Sequence, residues 1–177
     1  MTDRRTDAES FEALAMPMFD SLYNFAHWLT HNREEAEDLV QETYLKALKG
    51  FVSFQQGTNF RAWMYRILRN TFLTSRSGLS VKMMVPLERE EDAIGRPTDT
   101  PEVVLLARAD QQMVQSALER LPVQFREVIL LCDIEEMSYQ EIAEIVGIPI
   151  GTVMSRLSRA RKSMRELLAE TLRGASK

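Results

Sequence analysis

The chain has 177 residues, with 26 Asp plus Glu, 22 Lys plus Arg, two His, one Cys and a net charge of −4; this length suits one domain or two small ones, and an apolar fraction of 45% excludes wholesale disorder. The single Cys excludes a disulfide framework and a Cys-based zinc ribbon, and it fits a reducing cytosol. No apolar run nears the ~20 residues of a membrane span, the polar start MTDRRTDAES does not read as a secretory signal, and mild acidity argues against a non-specific coat for nucleic acid.

The N-terminal half reads as helices. Pro17 breaks the first near Met16, because proline cannot donate to the helical ladder. Leu22, Phe25, Ala26 and Leu29 form an apolar face, and Ala36, Val40, Tyr44 and Ala47 form the next at helical spacing. His27 and His31 stand four apart, but position 28 is Trp where a zinc peptidase has Glu, and no third ligand is near; no metal or cofactor is expected. Residues 33–42 set Arg33 against Glu34, Glu35, Glu37, Asp38 and Glu42. Asp38, Gln41, Glu42 and Leu45 lie away from the apolar face, forming an acidic surface with an apolar patch. Carboxylates repel phosphate, so a protein partner fits this surface better than DNA.

Thr58 and Asn59 read as a cap for a helix with Phe60, Trp63, Met64, Ile67 and Leu68 on its core face. Residues 59–76 carry Arg61, Arg66, Arg69 and Arg76 and no acid. Aromatics interleave with these bases; of 8 Phe, 2 Trp and 4 Tyr, only Phe125 and Tyr139 lie beyond Phe72. Stacking platforms beside cations suit single-stranded DNA.

Ser75–Pro101 holds Gly78, Pro86, Gly95, Pro97 and Pro101 without a sustained helical period. It reads as a linker, and its length supports a two-domain split. Beyond it, Leu106, Ala109, Met113 and Ala117 share a stripe that ends at Leu121-Pro122. Phe125, Val128, Ile129 and Cys132 follow at i, i+3, i+4, i+7 and should bury the thiol as a small core residue. No strand alternation persists, so the fold should be all-α, two small helical domains joined by a flexible linker.

The strongest motif spans 138–164, SYQEIAEIVGIPIGTVMSRLSRARKSM. Ser138 and Glu141 make a capping box. Ile142, Ala143, Ile145 and Val146 supply a buried side, and Gly147 permits a tight reversal. Pro149 opens a second helix whose Val153, Leu157, Ala160 and Met164 face the core. This is a helix-turn-helix. Its outward row is Met154, Ser155, Arg156, Ser158, Arg159 and Lys162, which a major groove can receive. No phosphate-loop, nucleophile-elbow or paired-carboxylate pattern appears, so the chain is not expected to be an enzyme.

Taken together, AEDLVQETYLKAL (36–48), FRAWMYRILRNTF (60–72), LPVQFREVILL (121–131) and the 138–161 segment resemble a bacterial RNA polymerase σ factor of the extracytoplasmic-function (ECF) group. Within it, GTNFRAWMYRILRNTF and PIGTVMSRLSRAR are similar to the branch held by redox-responsive anti-σ factors. The resemblance implies a σ2-like domain over 1–76, a linker over 77–100 and a σ4-like helix-turn-helix domain over 101–177. It implies binding to core RNA polymerase, at the β′ clamp helices through Asp38, Leu39, Gln41, Glu42 and Leu45 and also at the β subunit. It implies that the loop 54–59 cradles a flipped base of the −10 element, with Phe54, Asn59, Arg66, Arg69 and Asn70 on that strand and Arg76 as a further backbone contact. The outward row would read the −35 element, although many relatives carry a base where Met154 stands. Control by an anti-σ factor and a cytoplasmic location are further implications. Two other readings stand against this one. An ordinary helix-turn-helix regulator would bind an operator alone as a dimer, and a decoy or adaptor would keep the acidic helix without needing Arg156 and Arg159.

Overall fold

The computed structural model describes residues 4–77 and 111–175, and among them there are helices and turns but no strand. The contacts divide into two compact units, an N-terminal and a C-terminal one. The 77–100 linker beyond Ser77, together with Leu106 and Ala109, lies outside the described residues.

In the N-terminal unit, α1 (Arg4–Ala15) stops at a short 3-10 turn, Met16–Met18, that carries Pro17. Helix α2 (Phe19–Thr30) ends where His31 takes a left-handed φ of 53° and donates its N–H to the His27 carbonyl. Asn32 then caps α3 (Arg33–Gly50), its Oδ1 accepting the Glu35 N–H at 3.0 Å. So tight a junction folds α3 back along α2, and the two helices pack extensively. Helix α4 (Phe60–Ser77) packs on both. Leu22, Phe25, Ala26 and Leu29 are buried as their spacing predicts, with Ala36, Val40 and Ala47 opposite. Each large side chain so buried contributes about 1.5–3 kcal/mol. The Tyr44 hydroxyl donates to the Ala15 carbonyl at 2.7 Å, tying α3 to the end of α1.

The core stripe of α4 differs from the expected one. Met64, Tyr65, Leu68 and Phe72 are buried, while Phe60, Trp63 and Ile67 remain half-exposed. The helix is rotated so that Phe60 and Trp63 join a ring cluster with Phe54 at the edge of the core.

In the C-terminal unit, α5 (Gln111–Arg120) is followed after Leu121-Pro122 by α6 (Val123–Ile129). Arg126 is only 6% exposed. Its guanidinium donates to the carbonyls of Leu118, Glu119 and Leu121 at 2.7, 3.0 and 2.8 Å. These are the carbonyls that a helix end leaves without intrahelical donors. A π turn, Leu130–Ile134, then leads to α7 (Tyr139–Val146) and α8 (Ile150–Ala175). Val128, Ile129, Leu130, Leu131, Val153, Leu157, Ala160, Met164 and Leu168 are buried.

Cys132 departs from expectation. It is half-buried beside polar groups, not sealed on an apolar face. The Glu135 N–H reaches back to the Leu130 carbonyl at 3.0 Å, five residues earlier. This wider turn swings Cys132 off the stripe of Val128 and Ile129 and brings Asp133 inward.

Candidate nucleic-acid and partner interfaces

On α3, Asp38, Gln41, Glu42 and Leu45 are exposed together, as the spacing predicts. Leu45 is 55% exposed. Leu39, at 7% exposure, is a packing residue whose edge lines a groove. Its steps of three from Ala36 and four to Thr43, both buried, place it on the core side. That groove, of about 430 Å³, runs between α3 and α4 and is lined by Glu35, Asp38, Leu39 and Glu42 on one side and Thr71, Phe72, Ser75 and Arg76 on the other. Arg76 pairs with Glu35 at 2.9 Å and lies over the Phe72 ring at 5.2 Å. It therefore closes one end of the acidic groove. The apolar patch is longer than expected, since Leu48 and Val52 are 45% and 80% exposed and continue Leu45. Their i, i+3, i+7 spacing is visible in the sequence and marks them.

The loop between α3 and α4 is shaped by its own backbone. Gly57 has a φ of 91°, in the left-handed region that favours glycine. The Thr58 hydroxyl donates to the Gln55 carbonyl at 2.6 Å, and Asn59 Oδ1 accepts the Ala62 N–H at 3.0 Å, capping α4. Phe54 stacks on Phe51 at 5.9 Å and leans on Trp63 at 4.9 Å. It is half-buried, so one part of the ring packs while the rest remains at the surface. Trp63, Arg66 and Asn70 follow Asn59 up one side of α4 at steps of four, three and four, with Arg66 and Asn70 exposed. Arg69 sits half-buried on the flank of this row. The structure thus brings Asn59, Trp63, Arg66 and Asn70 into line above the Phe54 ring cluster.

The helix-turn-helix forms as predicted. Ser138 Oγ accepts the Glu141 N–H at 3.2 Å, and the Glu141 carboxylate accepts the Ser138 N–H at 2.8 Å. Gly147 turns at a φ of 75°, and the N–H groups of Gly147 and Ile148 both reach the Ala143 carbonyl. A Cβ at Gly147 would meet no atom within 4 Å, so the backbone conformation alone requires glycine. On α8, Ser158 and Lys162 are exposed, and Met154, Ser155, Arg156 and Arg159 are half-exposed around them. Arg161, from the same basic run, instead pairs with Asp133 at 2.8 Å. Burial, and secondly the charge of Asp133, push the Cys132 thiol up to about 11, which disfavours the reactive thiolate. Among the described residues no group of three His, Cys, Asp or Glu is placed to hold a metal ion, and no helix is long and apolar enough to cross a membrane.

Residues 17–79 match the family model for Sigma-70 region 2, and residues 111–164 match that for Sigma-70, region 4. The ECF RNA polymerase sigma factor EcfG of Rhodopseudomonas palustris is 39% identical over 151 residues, covering 84% of this chain and 79% of EcfG. The ECF RNA polymerase sigma factor SigE of Mycolicibacterium smegmatis is 35% identical over 161 residues, covering 91% of this chain but 62% of SigE, so the chain spans about three fifths of that relative's length. Among solved structures, the sigma factor RpoE of Bartonella quintana, in complex with the anti-sigma factor NepR, aligns with a TM-score of 0.70 and 34% identity, over 91% of this chain and 98% of RpoE. With a region 2 unit that bears the acidic α3, and a region 4 unit that ends in a helix with a basic outward row, the chain belongs to the ECF group of RNA polymerase sigma factors.

Proposed function

We propose that this chain binds core RNA polymerase and directs it to promoters of two-part sequence, with no catalysis of its own. The observation that carries this reading is the pairing, in one chain, of an exposed acidic and apolar face on α3 with a basic outward row on a capped helix-turn-helix. A regulator that binds DNA alone needs only the second. In this reading 1–76 is the σ2-like domain, 77–100 the linker and 101–177 the σ4-like domain.

Asp38, Gln41, Glu42 and Leu45 dock on the β′ clamp helices, with Leu39 holding the helix from beneath, and the β subunit supplies further contacts. Arg156, Ser158, Arg159 and Lys162 enter the major groove near −35, with Met154 and Ser155 beside them. Arginine takes guanine O6 and N7 in two parallel hydrogen bonds. The row Asn59, Arg66 and Asn70, flanked by Arg69, lies along the −10 non-template strand, and the Phe54 surface stacks against an unstacked base. Flipping that base costs a few kcal/mol, recovered by stacking worth about 1–3 kcal/mol per base. The RpoE–NepR complex supports control by an anti-sigma partner, and the chain works in the bacterial cytoplasm.

Run-off transcription with purified core polymerase and a genomic fragment library tests this. Core-dependent transcripts from an asymmetric −35/−10 motif are expected. Tight binding to a palindrome without core polymerase, and no transcripts with it, overturns the reading.

A further inference from the structure

Arg161 stands in the basic run of α8, yet the structure turns it away from the outward row. Its Nη2 donates to Asp133 Oδ1 at 2.8 Å while its Nε faces Oδ2 at 3.5 Å, so guanidinium and carboxylate meet at two points. The side chains are 21% and 14% exposed. Another pair formed by α8, Arg120 with Glu170, is 53% exposed on both partners. Exposed pairs contribute little, whereas a shielded two-point pair is strong and geometrically selective. Burial opposes the Arg161 charge, but the hydrogen bond and charge of Asp133 outweigh it and hold the guanidinium above its ordinary pKa.

We propose that Arg161 is a positioning residue: held by Asp133, it fixes the rotation of α8 about its own axis and so aims Arg156, Arg159 and Lys162 at the duplex. Arg161 is one turn on from Leu157 and next to Ala160, both buried. At about 100° per residue, it sits on the flank of the stripe that packs α8. That stripe consists of Val, Leu, Ala and Met, whose contacts are non-directional and resist rolling weakly. A two-point pair at the flank resists it directly. The anchor is equally defined, because the π turn that displaces Cys132 carries Asp133 toward α8. Base-reading side chains need their angle held to roughly 10–20°, so a small roll matters.

This inference rests on the promoter-reading role proposed above, and the test separates the two. Holoenzyme is assembled from core polymerase and the full chain. The probe is the promoter fragment that the wild-type holoenzyme selects in the run-off experiment, with its −35 bases intact or singly changed. If the wild type selects no fragment, the promoter-reading role falls and this inference with it. Asp133→Asn and Arg161→Gln are each expected to flatten −35 base preference about tenfold, and the double variant no further. The dependence of Kd on salt should keep the wild-type slope, and Asp133→Glu should retain the preference. If Arg161→Gln fails to fold, Arg161→Lys, which keeps the charge but not the two-point contact, should show the same flattening. Intact preference in Asp133→Asn overturns the inference. So does a slope reduced by about 0.9 in Arg161→Gln alone, the mark of a lost phosphate contact. Lower resistance to urea with unchanged base preference also overturns it, since the pair would then serve the fold alone.

Discussion

Helices α3 and α8 follow the same rule of construction and reach opposite ends. Each buries an apolar stripe at 3.6-residue spacing and turns a charged row outward. On α3 two of the three bases are drawn into pairs with its own acids, Arg33 with Glu37 and Lys46 with Glu42, while Asp38, Gln41 and Leu45 stay open beside them. On α8 the inward base is the paired one, and among the described residues no carboxylate pairs with Arg156, Arg159 or Lys162. If the proposed roles hold, the difference teaches that the sign of the unpaired outward charge, more than helicity or amphipathicity, sorts a protein-facing helix from a DNA-facing one. Phosphate repels the first and is drawn to the second.

The largest effect should come from reversing that sign on α3. Asp38→Arg together with Glu42→Arg is expected to lower capture of core polymerase at least 100-fold while helical content stays the same. Both side chains are exposed, so the fold does not depend on them. Normal co-purification of core subunits with this variant would break the comparison. A smaller effect is expected on α8. Arg159→Ala should cost roughly 1–3 kcal/mol of −35 binding if the guanidinium reads a base, measured as promoter Kd of the holoenzyme. Unchanged output would move Arg159 from the base edge to the solvent. On α4, Asn70→Ala should slow strand opening several-fold, followed by a fluorescent base near −10, and leave closed duplex binding near wild type. Equal loss of both would remove Asn70 from the melted strand.

The helix-turn-helix was legible almost residue by residue because its signals are local. A capping box, a glycine forced to positive φ and a proline near the start of the next helix each act within a few residues. The face of α2 was legible for the same reason. What the sequence hid was set by contacts far along the chain. Leu39 and Tyr65 are buried because α2, α3 and α4 meet around them. Phe60 and Trp63 look like core by spacing, but they are held at the edge by Phe54, which lies outside any helix. Arg76 and Arg161 lie in basic runs, but each is paired, with Glu35 and Asp133, from 41 and 28 residues away. No local pattern announces such partners. The π turn at Leu130–Ile134 is a similar case, since continuing the α period through it places Cys132 on the wrong side.

Cys132 offers the smallest effect and the sharpest check on that last point. Its thiol, pushed up to about 11 from an ordinary 9.0 chiefly by burial, keeps its proton in the folded chain well above neutral pH. Two pKa units mean about 100-fold less thiolate at pH 8, and thiolate is the reactive form. Alkylation by iodoacetamide at pH 8 should therefore run about 100-fold slower in the folded protein than in urea. Between pH 9 and 11 the folded state binds more protons at this site than the unfolded state, so its contribution makes stability fall as pH rises through that window. Cys132→Ala should remove this part of the slope and leave run-off transcription unchanged. Fast alkylation of the native chain at pH 8 would mean that the thiol is solvated, and the wider turn would then fail to explain where Cys132 and Asp133 sit.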